Sequence, residues 1–75
     1  MNTEIYPNPN IDGFVRFSNS EPAIVRVIDL RGRELISPRK ISPFGSIDLG
    51  NLSASIVLVE IHYSEYKEVK RLVVE

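Results

Sequence analysis

The apolar residues of this 75-residue chain are the wrong kind for helices, and this feature constrains its fold most. Nine Ile and eight Val stand against two Ala and one Met. Such β-branched side chains are stiff at χ1 and suit a pleated surface. Five Pro and four Gly interrupt them at short intervals. Short alternating or apolar runs between turn signals predict an all-β domain of six to seven strands, built as a sandwich or barrel.

The expected strands follow the punctuation. Thr3 to Tyr6 is a short strand that Pro7 and Pro9 stop, because each proline lacks a ladder donor. Pro7 to Gly13 is a rigid turn whose Asp12-Gly13 pair can supply a positive φ. Gly13 to Ser18 is the second strand, and Asn19 to Pro22 a polar turn. Ala23 to Leu30 is the clearest strand, with Ala23, Val25 and Val27 on one face. Asp29-Leu30-Arg31-Gly32 reads as a type I turn, Asp capping amides at its first position and Gly accepting the left-handed conformation after it. Arg33 to Ile36 returns as the hairpin partner. Ser37 to Gly45, with two prolines, is expected to be a connecting loop, with at most a short edge strand at Lys40-Ile41. Ser46 to Leu49 is a short strand, and Gly50 to Ala54 a turn plugged by Leu52. Ser55 to Tyr63 is a central strand. Tyr66 to Glu75 closes the chain, with Lys67, Lys70 and Arg71 as edge charges that discourage sheet aggregation.

Composition removes several function classes. No cysteine is present, so neither disulfides nor thiolate metal sites reinforce the small core. The longest apolar run, Ile56-Val57-Leu58-Val59, is far short of the roughly 20 residues of a membrane-spanning helix. A net charge of −1 with no long block of either sign argues against nucleic acid as a partner. His62 is the only histidine, and no Gly-x-Ser-x-Gly elbow, Walker loop or Rossmann glycine pattern occurs. The residues therefore show no catalytic constellation and call for no cofactor or metal. Asn8-x-Asn10-x-Asp12-Gly13 matches the first half of an EF-hand loop. It then fails, because the twelfth position is Asn19 where a bidentate Glu is required.

Five segments occur in a specific order. They are Tyr6-Pro7-Asn8-Pro9 with Gly13, Val25-x-Val27-x-Asp29-Leu30-x-Gly32-Arg33, Ile47-Asp48-Leu49-x-x-Leu52, Ile56-Val57-Leu58-Val59, and the closing Lys70-Arg71-Leu72-Val73-Val74. In this order and spacing, from about Glu4 to Glu75, the chain resembles the type A C-terminal sorting domain of type IX secretion cargo. Ser55 stands where that family usually has Gly, and Val57 where an aromatic is common.

The resemblance implies a small immunoglobulin-like antiparallel β-sandwich at the C-terminus of a larger exported protein. Its partners would be the N-terminally fused cargo, an outer-membrane type IX translocon and a sortase-like cysteine protease. Cargo would pass through the periplasm and end on the outer-membrane surface or outside the cell, often after removal of the domain. The domain itself would be no enzyme. The signature positions carried over are Pro7, Asn8, Pro9, Gly13, Asp29, Gly32, Arg33 and Lys70, with the final strand Leu72, Val73, Val74 and Glu75. Because the chain opens directly before the first motif, all 75 residues are expected to form one domain excised from its cargo. A monomer is expected, with strand exchange between isolated domains as a second form. The terminal strand is expected to be exposed, so that a receptor could dock on its edge by β-augmentation. Two other classes stay open from the residues alone: a β-sandwich accessory module that binds carbohydrate or protein, and a structural domain packed on an adjacent enzyme. Carbohydrate modules display exposed aromatics, whereas the six aromatics here are expected mostly on apolar strand faces.

Overall fold

The computed structural model describes residues 3–52 and 55–75. The described residues form seven strands and no helix: β1 (Ile5–Tyr6), β2 (Phe14–Phe17), β3 (Ala23–Ile28), β4 (Glu34–Ile41), β5 (Ser46–Asp48), β6 (Ile56–His62) and β7 (Lys67–Val73). They make two antiparallel sheets, ordered β1-β2-β5 and β4-β3-β6-β7. Constant-type immunoglobulin domains place the fourth strand beside the fifth, in the sheet of the first and second. Here the tight turn after β3 keeps β4 hydrogen-bonded to β3, so the fourth strand joins the other sheet. The result is an immunoglobulin-like β-sandwich.

The alternation that predicts the strands also builds the core. Val15 and Phe17 from β2 and Ile47 from β5 face Val25 and Val27 from β3 and Val57, Val59 and Ile61 from β6. Together with Leu72 of β7 these residues form one buried cluster. Ala23, Val25 and Val27 share the inner face as expected, while Ile24 on the opposite face is 42% exposed. Leu52 packs against the core from its loop; Ser53 and Ala54, also assigned to that turn, lie outside the described residues.

The expected loop over Ser37 to Gly45 is found only from Ser42 to Gly45, and the edge strand allowed at Lys40-Ile41 is the end of a longer one. β4 continues through Pro38 to Ile41 and pairs with β3 along its length. Pro38 is tolerated because β4 is an edge strand, whose outward side needs no ladder donor. The strand absorbs extra residues by bulging. Val25 to Val27 on β3 faces Arg39 to Ile36 on β4, so three steps of β4 oppose two of β3. Such bulges twist an edge away from further pairing.

Candidate recognition surface

The Asp29 turn is self-contained. The Asp29 carboxylate accepts the Arg31 amide at 2.9 Å and the Arg33 amide at 2.8 Å through Oδ1. Its Oδ2 accepts Arg33 Nε at 2.8 Å. The Gly32 amide donates to the Asp29 carbonyl at 3.0 Å, closing the turn, and Gly32 sits at φ +89°. The Arg33 guanidinium and the two amides hold the Asp29 carboxyl below the ordinary aspartate range against a smaller opposing effect of burial. The Arg33 side chain itself remains 74% exposed, so the pair fixes the turn while presenting the guanidinium to solvent.

The Pro7–Gly13 loop is bonded to distant chain instead. Both the Tyr6-Pro7 and Asn8-Pro9 peptide bonds are cis. The Asn8 side chain lies along the outer edge of β7 and imitates a neighbouring strand. Its Nδ2 donates to the Arg71 carbonyl at 3.0 Å and its Oδ1 accepts the Val73 amide at 3.1 Å. Asn10 continues the contact through its backbone in a parallel bridge with Val74: its amide donates to the Val73 carbonyl at 2.6 Å, and its carbonyl accepts the Glu75 amide at 2.8 Å. The Asn10 side chain, fully buried, donates to the Phe14 carbonyl and accepts the Gly13 amide. Asp12 accepts the Phe14 amide at 3.0 Å, which lowers its pKa, and pairs with Arg16 at 3.2 Å. The three oxygen-bearing side chains of the half EF-hand pattern are thus turned to protein partners.

The terminal strand is less open than expected. Leu72 is fully buried, Val73 and Val74 are half-buried, and the outer edge from the Arg71 carbonyl to the Glu75 amide is taken by Asn8 and Asn10. β-Augmentation over Leu72–Glu75 would first have to displace this loop. Lys70 also departs from the edge-charge reading. It is opposite Val59 on the inward face of β7, its Nζ 3.4 Å from Glu68. Burial pushes the Glu68 carboxyl up, but the Thr3 amide and hydroxyl and Lys70 outweigh it, leaving the pKa lowered.

Topology gathers the signature segments at one end of the sandwich. The ends of β3 and β7 and the start of β6 coincide there, since Ile28 pairs with Leu58 and Val73 with Ile56. The Asp29 turn therefore sits two strands from the C-terminus, roughly 10 Å away at ordinary strand spacing. The Pro7–Gly13 loop closes the same end, and the Gly13 carbonyl accepts the Leu49 amide. Beside this loop a cleft of about 480 Å³ is lined in part by Ile11, Leu49, Leu52, Val74 and Glu75. Lys70 alone among the signature positions lies away from this end. Thr3 lies at the opposite end, beside Tyr63 and Glu68; the longest dimension of the molecule is 31 Å.

A second cleft, of about 440 Å³, opens on the outer face of the four-stranded sheet among Ile24, Arg26, Pro38, Glu60, His62 and Lys67. His62 Nε2 is 3.0 Å from Glu60 Oε1, and Arg26 Nε approaches the same oxygen at 3.3 Å. The His62 hydrogen bond, then Arg26 and Lys67, lower the Glu60 pKa despite the penalty of burial. The histidine is thus a half-exposed partner of a largely covered carboxylate. The aromatics correct the sequence reading: Tyr6, Phe14, Phe44 and Tyr66 are all more than 40% exposed, while Phe17 is buried. Tyr6 and Phe14 share the outer face of the small sheet; Phe44 and Tyr66 lie at the Thr3 end.

Three polar residues that hold the fold were not singled out as functional from the sequence. Thr3, Asn10 and Asn19 are all nearly or fully buried. Asn19 donates to the Glu21 and Ser42 carbonyls and accepts the Phe44 amide on its own carbonyl, tying the β2–β3 loop to the β4–β5 loop. The Asn10-x-x-Gly13 spacing was the one available signal for Asn10, since a side-chain-to-amide turn spans that distance.

Comparison with known proteins settles the family. Residues 4–75 match the family described as the secretion system C-terminal sorting domain. The chain belongs to the type IX secretion C-terminal sorting domains. A search of curated proteins finds no match. The match spans both signature turns and the whole of β7. This family is one of sorting signals rather than enzymes, placed C-terminal to a cargo protein. Membership implies interaction with the type IX machinery and export across the outer membrane, toward the surface or the extracellular space.

Proposed function

We propose that this sorting domain is read at the end of the sandwich where the Pro7–Gly13 loop, the Asp29–Arg33 turn and the C-terminal residues meet. The observation that carries this reading is their convergence: segments separated by up to 65 residues in sequence share one end, while Thr3, on the cargo side, occupies the other. A receptor that serves unrelated cargoes needs a surface that the cargo cannot cover, and this end points away from it. Arg33 supplies an exposed cation, Ile11 an exposed apolar side chain at 73%, and Glu75 an exposed carboxylate. Pro7, Asn8, Pro9, Gly13, Asp29 and Gly32 shape the surface, and Leu72, Val73 and Val74 anchor it. The readers are an outer-membrane translocon and then a sortase-like cysteine protease. The protease removes the domain from its cargo, which is left attached to the surface or released after passing through the periplasm.

The direct test fuses residues 1–75 to the C-terminus of a periplasm-directed fluorescent protein, in a host with type IX secretion. Fluorescence on the surface or in the medium only when the translocon is intact is the expected outcome, with loss of the domain's mass reporting cleavage. A reporter that stays periplasmic in both strains, although the domain is folded, refutes the reading. Deleting Leu72–Glu75 is a poorer probe than the sequence suggests. It removes a fully buried core residue together with both partners of the Asn10 backbone, so folding and recognition fail together.

A further inference from the structure

We propose that residues 3–10 and β7 form a shear clamp that keeps the domain folded under tension between its cargo and the machinery that holds its C-terminal end. The inference rests on the proposed reading for the source of the load, but the clamp itself is a property of the isolated chain.

The geometry is specific. Residues 3–10 run beside β7 in the same direction. Thr3 meets Glu68 through its amide and hydroxyl, both at 2.9 Å. Asn8 meets Arg71 and Val73, and Asn10 forms the parallel bridge with Val74. Between these points Ile5–Tyr6 pairs with β2 of the other sheet. The segment thus straps the two layers together along one side. Because strap and β7 are parallel, the cargo side of the chain leaves at one end of the sandwich and the C-terminus at the other. Tension between the two therefore slides the strap past β7. It loads the crosswise bonds together rather than opening them one after another. Antiparallel terminal strands would place both pulling points at the same end, and the bonds would unzip in sequence.

The chemistry of the strap fits the role. A bond shared between two backbones needs strand geometry, which Pro7 and Pro9 deny to this stretch. Asn8 restores it with one side chain that donates and accepts on the edge of β7 in the manner of a peptide group. Asn10, fully buried, ties the clamp to β2 through the Phe14 carbonyl. At the cargo end the Glu68 carboxylate, held ionised by Thr3 and Lys70, grips the first residues of the strap.

The test is single-molecule force spectroscopy on the 75-residue domain in two pulling directions. One attaches handles to the two chain ends. The other uses Leu30→Cys and Ser64→Cys, in exposed turns at opposite ends of the four-stranded sheet, so that load bypasses the strap. The unmutated domain is expected to unfold more slowly at a given force when pulled end to end. Asn8→Ala, which removes two hydrogen bonds at an exposed site, should raise the end-to-end unfolding rate by roughly tenfold, about 1.4 kcal/mol on the barrier. The rate along the second direction should stay essentially unchanged. Glu68→Ala gives a second probe at the other end of the strap, with the same directional signature. Equal acceleration in both directions, or none end to end, overturns the clamp. That result leaves the sorting reading intact, whereas a directional clamp with a reporter stranded in the periplasm refutes the sorting reading alone.

Discussion

The Asp29–Arg33 turn and the Pro7–Gly13 loop close the same end of the sandwich by opposite means. In the first, every described bond of the Asp29 side chain falls within four residues. In the second, Asn8 and Asn10 reach β7 and the C-terminus, across 63 residues or more. A turn that satisfies itself can form in an otherwise unfolded chain. A loop that completes a distant strand exists only when the whole domain is folded. The first is a fixed feature of the surface, while the second makes that surface conditional on the fold.

Asn10→Ala should have the largest effect and test the conditional side of this contrast. It leaves the Phe14 carbonyl and the Gly13 amide, in part-buried bonds, without their partner on a fully buried side chain. Each such orphan costs about 1–3 kcal/mol, so the variant should lose on the order of 2–4 kcal/mol in urea titration. That is a large share of the stability of so small a domain. A loss below about 1 kcal/mol would mean that the loop is held by its prolines and not by its distant bonds.

Gly13→Ala and Gly32→Ala compare the two turns at matched positions. Both glycines have positive φ, +82° and +89°, and a methyl group at either meets no atom within 4 Å. The penalty is then backbone strain alone, roughly 1–2 kcal/mol each. Since the conformational cost is the same, Asn, which tolerates the left-handed region, should recover part of it at both sites. A loss at Gly13 well beyond that at Gly32 would show that strain in the loop is passed on to β7 through Asn10.

How much of this was legible in the sequence follows the same division. The Asp29-x-x-Gly32 turn and the alternating strands could be read because their causes lie within a few residues. The extension of β4 through Pro38 could not. Whether a proline is tolerated depends on its strand lying at a sheet edge, and the order of strands decides that. Asn8 was visible only as a turn residue, in a failed calcium-loop pattern and as part of a resemblance. Its role as a substitute strand, like the burial of Thr3, Asn10 and Asn19, depends on partners that sequence spacing does not bring near. The exposed aromatics were misjudged for a related reason: Phe14 alternates correctly against Val15, but only the second sheet determines which face is covered.

Acid should separate the local turn from the rest by a smaller margin. The Arg33 guanidinium holds the folded Asp29 pKa below the ordinary value of about 4. A depressed folded pKa gives stability that is present above the unfolded value and lost as pH falls through the folded one. Asp29→Asn should therefore be less stable than the unmutated domain at neutral pH, and the gap should close as pH drops well below 4. A gap that is constant with pH would mean that the side chain acts by shape and amide bonding alone, without its charge.

Arg33→Ala should have the smallest effect on stability and the most to say about function. Its side chain is 74% exposed, and exposed ion pairs contribute little to folding. The Asp29 carboxylate would keep both of its amide donors, so the turn should survive and the urea midpoint should barely move. Export of a fluorescent reporter is then a clean readout. If it falls while the midpoint holds, the guanidinium is read directly, and the local turn exists to display it. If export is unchanged, Arg33 serves only the turn, and recognition shifts to the side of the comparison that depends on the whole fold: Ile11, the cleft beside it and Glu75.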